Sequence, residues 1–141
     1  MENVQIRDYT DADYNQVKQI LIEGNLFDET LDSRDNLRKK IERDPASIIV
    51  AVFDNRVIGN AYIVEDGWAH FIFRLSVSKE HRKRGVGKLL MQAAEKRMKD
   101  RGTPEVGLLV RSDDNELVGY YKKQGYTHSE KTFRFMWKKL S

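Results

Sequence analysis

The residues best suited to chemistry lie in two short stretches. The first, Val77-Ser78-Lys79-Glu80-His81-Arg82-Lys83-Arg84-Gly85-Val86-Gly87-Lys88-Leu89-Leu90, reads as a strand end, a basic glycine-bearing loop and a helix start. A helix N-terminus presents unpaired amide donors and the positive end of its dipole, and glycine lets a phosphate approach the backbone closely. Arg82, Lys83, Arg84 and Lys88 surround Gly85 and Gly87 with positive charge. The stretch is an anion cradle or, in a plainer reading, a tight turn with a close helix contact. Two familiar phosphate motifs do not fit. Gly-x-x-x-x-Gly-Lys-Ser/Thr needs glycine at Arg82 and a hydroxyl at Leu89, and Gly-x-Gly-x-x-Gly needs a third glycine at Leu90.

The second stretch is Asn115-x-x-Val118-x-x-Tyr121-x-x-x-Gly125-Tyr126. Steps of three place Asn115, Val118 and Tyr121 on one helical face. A phenol near pKa 10 stays protonated at neutral pH and can donate to a departing anion. Its plainer reading is a core tyrosine on an amphipathic helix, with Tyr120 as the rival beside it. The chain has no cysteine, which excludes disulfides and thiolate chemistry, and its three histidines (His70, His81 and His128) are too scattered to suggest a zinc centre.

These stretches must be positioned by a mixed α/β framework. Val4 to Tyr9 alternates like an opening strand, and Thr10-Asp11-Ala12-Asp13 begins a helix with Val17, Ile20 and Leu21 at helical spacing and Gly24 as its stop. A loop over Asn25 to Asp32 leads to a helix over Ser33 to Arg43. Ile48–Phe53 and Arg56–Val64 flank Asp54-Asn55 as a hairpin, and Asp66-Gly67 turns into a third strand over Ala69–Val77. A helix follows over 84–100, then a strand over Glu105–Arg111. Asp113-Asp114-Asn115-Glu116 reads as a capping box with Asp113 as the cap, opening a helix that stops at Gly125, and Phe133–Lys138 forms a last strand. The order is β-α-α-β-β-β-α-β-α-β, an α/β (α+β) fold with a mostly antiparallel meander leading into a β-α-β unit.

The 141 residues, 40% hydrophobic and 33% charged, suit one domain over 1–141. The longest apolar run, Ile48 to Phe53, is far below the roughly 20 residues a membrane span needs, and no secretory signal opens the chain, so a cytoplasmic protein is expected. Net charge is +3, but residues 79–101 alone hold nine Lys/Arg against three Asp/Glu, or +6. One short basic segment suits a compact anion better than a long polyanion. The aromatic residues lie mainly in strand positions, not interleaved with Lys/Arg as a nucleic-acid stacking platform requires, so a basic nucleic-acid-binding module is the alternative class.

Together and in this order, the two stretches resemble the GNAT N-acetyltransferase superfamily. Its Arg/Gln-x-x-Gly-x-Gly/Ala segment is matched by Arg82-x-x-Gly85-x-Gly87, and its Asn-x-x-Ala-x-x-Tyr followed by Gly-Phe by Asn115 to Tyr126, with Val118 for alanine and Tyr126 for phenylalanine. Asp66-Gly67-Trp68 leading into Leu75-Ser76-Val77, with a short two-helix arm, is similar to small bacterial and archaeal acetyltransferases related to the ribosomal-protein alanine acetyltransferases. The resemblance covers the whole chain and implies the GNAT acyl-CoA N-acyltransferase fold. It also implies acetyl transfer from acetyl-coenzyme A to a primary amine, through a ternary complex and without a metal. A member that binds coenzyme A without turnover is the alternative. It divides the chain into an acceptor-side arm over 1–47 and an acetyl-CoA-binding core over 68–126. Within that core, Arg82, Lys83, Arg84, Gly85, Val86, Gly87 and Lys88 hold the pyrophosphate, while Leu75, Ser76 and Val77 offer backbone groups to the pantetheine and a donor to the thioester carbonyl. Asn115 bonds the pantetheine or serves in its helix's first turn. Tyr121 is the general acid. The same likeness allows a monomer or a homodimer.

No general base stands out. Some family members place Glu or His on the strand before the loop; the nearest alignment gives Phe71, which cannot take a proton, with His70 adjacent but facing away. Glu65 and Asp66 at the preceding turn read as solvated, and a water relay is a further route. Glu23, Asp28, Glu29, Asp32 and Asp35 in the N-terminal arm suggest a cationic acceptor such as a basic peptide N-terminus, a lysine or a polyamine.

Overall fold

Apolar β-branched runs at 48–53 and 56–65 generate the centre of a four-stranded antiparallel sheet in the computed structural model, which describes residues 1–141. The strands are β1 (Gln5–Asp8), β2 (Ile48–Phe53), β3 (Arg56–Glu65) and β4 (His70–Val77), paired in chain order. The helices are α1 (Tyr14–Glu23), α2 (Arg34–Arg43), α3 (Val86–Asp100) and α4 (Asn115–Lys123), with single helical turns at Asp11–Asp13 and Lys79–His81. No helix is long and apolar enough to cross a membrane. The chain divides into two compact units, 1–108 and 109–141.

In the first unit the sheet is buried on both faces, which is why β2 reads as an unbroken apolar run. On one face Ile48, Val50, Val57 and Tyr62 pack with Val17, Ile20 and Leu21 of α1 and Leu37 of α2. On the other, α3 packs against β2, β3 and β4, and it buries Val86, Leu90, Met91, Ala94 and Met98. The β2–β3 turn holds Asp54 at φ 52° and Asn55 at φ 59°. Positive φ at both central residues is the twist-matched hairpin turn, and Asp and Asn are the side chains that tolerate it. Ser33 caps α2 by accepting the Asn36 amide.

Two expected strands differ. Over 105–111 there is a single parallel bridge, Phe71 to Gly107, with the Gly107 amide donating to His70 O (2.8 Å) and the Ile72 amide to Gly107 O (3.0 Å). The bridge needs glycine, since a Cβ at position 107 would stand 2.8 Å from the Phe71 ring. Arg74, three residues past the bridge in β4, takes a left-handed conformation. The second unit contains α4 and no strand, and Phe133, Phe135, Met136 and Trp137 stand exposed there. The alternation at 133–138 specifies a strand only when an edge is present to pair with it.

The cap of α4 is also displaced by one. Asp114, not Asp113, accepts the Leu117 amide (3.0 Å), and Asp113 instead pairs with Arg111 at 2.8 Å. The helix still ends where glycine dictates, with Gln124 as its C-cap and Gly125 at φ 95°.

Candidate functional site

The site in the first unit is built on a break in β4. Asn60 pairs with Ser76, and Tyr62 with Phe73, so Arg74 and Leu75 together oppose Ala61. Arg74 adopts φ 53°, a left-handed conformation unusual for a long side chain. Its carbonyl accepts from Asn60 Nδ2 (2.8 Å), and its guanidinium grips Asp32 through Nε (3.2 and 3.3 Å) and Nη2 (3.0 Å). Past the break, Leu75 and Val77 are half-buried, while Ser76 is buried with its hydroxyl 3.4 Å from Ile20 O. A bulge leaves backbone groups of its extra residue outside the β3–β4 ladder, so polar groups are freed at this point of the strand.

The basic loop follows directly. Ser78 ends the strand with its amide on Ile58 O (2.7 Å), and its hydroxyl lies 2.6 Å from His81 Nδ1 across the turn Lys79–His81. Arg82 folds back so that Nε donates to Val77 O (3.1 Å). Lys83 (φ 62°) and Gly85 (φ 83°) both take left-handed conformations. Such turns aim successive amides into one concavity. Gly85 is the N-cap of α3 and provides no side-chain cap, and the first α3 amide bonded back to it is that of Leu89 (3.1 Å). The amides of the first turn therefore have no intrahelical partner. A Cβ at Gly85 would meet nothing within 4 Å, and Arg82, Lys83, Arg84 and Lys88 are exposed around it. Bare helix-terminal amides, open space and four cations suit a pyrophosphate. Gly87 is half-buried in this turn; Val86 is core, so only its backbone is available to a ligand.

In the second unit α4 carries Asn115, Val118 and Tyr121 three apart, with Asn115 exposed and the other two half-buried. Burial, with Tyr120 nearby, pushes the Tyr121 phenol up to about 12. Its ring meets Tyr120 edge-on at 5.2 Å and Tyr126 at 5.8 Å. Tyr120 is the more exposed of the two adjacent tyrosines.

Of the candidate bases, Asp66 is exposed as expected and Glu65 is not. His70 opens β4, four residues and about 13 Å along the strand from Arg74. Its Nδ1 is buried without a partner, and Nε2 lies 3.9 Å from Glu105. Glu65 is not solvated: its side chain is 9% exposed, with one oxygen taking the Gly67 amide (2.6 Å) and the other 3.5 Å from Arg101. Asp66 accepts the Ala69 and Trp68 amides, which hold its carboxyl below the usual carboxylate range.

The acidic arm is only partly a surface. Asp32 is 1% exposed and paired with Arg74, so it cannot present charge to an acceptor. Asp28 accepts the Leu31 and Thr30 amides, which lower its carboxyl. Arg74 and Asn60 carry no motif; the one available signal is an arginine set between the apolar residues Phe73 and Leu75.

A family profile described as the Acetyltransferase (GNAT) family matches residues 11–126. An acetyltransferase of Pectobacterium atrosepticum is 27% identical over 123 residues, covering 87% of each chain. One from Yersinia pseudotuberculosis is 26% identical over the same span, again covering 87% of each. Among solved structures, the PaiA N-acetyltransferase of Thermoplasma acidophilum in complex with coenzyme A superposes with TM-score 0.77 at 20% identity, covering 92% of this chain and 93% of that one. Ard1 from Thermoplasma volcanium gives 0.76 at 24% identity, covering 89% and 84%. With the profile spanning most of the sequence and the fold shared with these structures, the chain belongs to the GNAT family of acetyltransferases.

Proposed function

We propose that the protein moves the acetyl group of acetyl-coenzyme A to a primary amine by direct attack of the amine on the thioester. The observation carrying this reading is the α3 N-terminus, where left-handed Gly85 leaves open space beside unpartnered amides and four exposed cations. The coenzyme A bound by the Thermoplasma acidophilum neighbour supports the same ligand here. In this assignment Arg82, Lys83, Arg84, Gly85, Val86, Gly87 and Lys88 hold the pyrophosphate, Val86 through its backbone. Leu75, Ser76 and Val77 meet the pantetheine, and Asn115 supplies a further polar contact.

Tyr121 is the proposed general acid. The nitrogen forms its bond to the acetyl carbon, the carbon–sulfur bond breaks, and the proton lost by nitrogen ends on sulfur. A phenol held at about 12 is a weaker acid than a thiol near 8.5, so Tyr121 hands its proton over only if it regains one. The nitrogen becoming an amide is that source. An amine arriving neutral lightens the demand for a base, which suits a site where Phe71 stands at the aligned position. At pH 7 about one lysine in 2,500 is neutral, against roughly one α-amine in ten. An α-amine therefore leans less on a base than a lysine does, and this reading favours it over lysine.

Calorimetric titration of acetyl-coenzyme A tests the reading. The wild type should bind saturably in the micromolar range, and Gly85→Glu should lose at least tenfold. Because φ 83° strains any side chain, Gly85→Asn, whose residue tolerates that conformation, separates backbone strain from the added carboxylate and should bind better than the Glu variant. A folded wild type that binds nothing would overturn the proposal.

A further inference from the structure

A buried polar cluster surrounds Arg74. Asp32 is buried, and its carboxylate receives Nε and Nη2 of Arg74, the Tyr62 hydroxyl (3.0 Å) and the Asp28 amide (2.8 Å). Its own carbonyl takes the Tyr14 hydroxyl (2.9 Å). Four donors saturate the carboxylate, so the buried charge is satisfied. Asn60 is wholly buried and its Nδ2 holds the Arg74 carbonyl, while its Oδ1 has no partner. Arg74 is thus pinned at its carbonyl and at its guanidinium, on the residue whose left-handed backbone makes the bulge. A conformation of this kind is strained and persists only where its surroundings over-determine it.

We propose that Asp32, Arg74 and Asn60 are positioning residues that lock the β4 bulge and so fix the backbone groups facing the thioester carbonyl. The lock also ties the connection between α1 and α2, through Asp28 and Asp32, to the strand on which the acyl group is polarised. Donors aimed at developing charge act only if held in place, and displacement by about 1 Å costs up to about 100-fold in rate. The inference rests on the acetyl-transfer reading for its catalytic part alone.

Two measurements test it. In the free protein, amide hydrogen exchange at residues 74–76 should quicken at least tenfold in Asp32→Asn and Arg74→Ala, with β2 protection unchanged. In turnover with acetyl-coenzyme A, kcat should fall about 10–100-fold, clearly more than the affinity for coenzyme A, which shares the pantetheine contacts of residues 75–77 but lacks the acyl carbonyl. Arg74→Gly, whose residue adopts φ 53° without strain, should regain part of both losses relative to Arg74→Ala. It carries the test if Asp32→Asn does not fold. Folded variants with wild-type exchange and kcat would overturn the lock. So would exchange that rises equally across β2, β3 and β4 with coenzyme A affinity falling in step, the mark of a merely structural pair. If the wild type transfers no acetyl group, the acetyl-transfer reading fails, and the exchange measurement still decides the lock.

Discussion

At the scale of single residues, Tyr121 joins a phenol that stays protonated across the neutral range to a position four before Gly125. Tyr121→Phe removes the proton and keeps the ring, so kcat should drop about 10²–10⁴-fold with coenzyme A affinity unchanged. Tyr120→Phe should leave kcat near wild type; steady-state rates of thiol release check both. In the proposed role the protonated phenol is the active form, and it is lost only as pH rises through about 12. The alkaline limb of kcat for the wild type should therefore not bend on account of Tyr121 below about pH 11. Arg82 is tied to the end of β4, its Nε donating to the carbonyl of Val77.

At the scale of elements, caps separate what pattern predicts from what geometry selects. Asp113 and Asp114 are equally good capping residues by type, and the register is decided by Arg111 drawing Asp113 aside. Asp114→Ala should cost α4 about 1 kcal/mol, read as faster exchange at Leu117 and Val118, and Asp113→Ala should leave those amides unchanged. Within β4 the bulge at Arg74 and Leu75 leaves backbone groups outside the ladder with β3, and the proposed acyl site is built on them.

At the scale of the whole molecule, ion pairs and buried phenols set opposite ends of the pH range. The Arg101 guanidinium, bonded to Asp44 at 2.8 Å, holds that carboxyl below its usual range. For Asp13, burial works against ionisation, but bonds from Arg7 and Thr10 outweigh it and the net direction is again downward. Depressed carboxyls stabilise above their unfolded pKa near 4 and lose that contribution as pH falls through their folded values. Burial, with Asp11 and Asp13 nearby, pushes Tyr9 up to about 12, so its contribution is complete below pH 10 and lost as pH rises through 12. Thermal melting should give a plateau between about pH 5 and 9 with a fall on either side, and Asp44→Asn should flatten the acid fall.

The sequence by itself determined the helices, the meander and the loop, because helical spacing, a two-residue Asp-Asn turn and Gly85 act through contacts near in the chain. It also determined the family, through Arg82-x-x-Gly85-x-Gly87 and Asn115 to Tyr126. Only the tertiary structure decided the pairing of 105–111, the absence of a strand at 133–138 and the cluster at Asp32, Asn60 and Arg74. Asp32 and Arg74 stand 42 residues apart, so local pattern made one a surface acid and left the other without a role. A strand edge, a buried ion pair and a bulge are each properties of two segments meeting, and neither segment alone encodes the encounter.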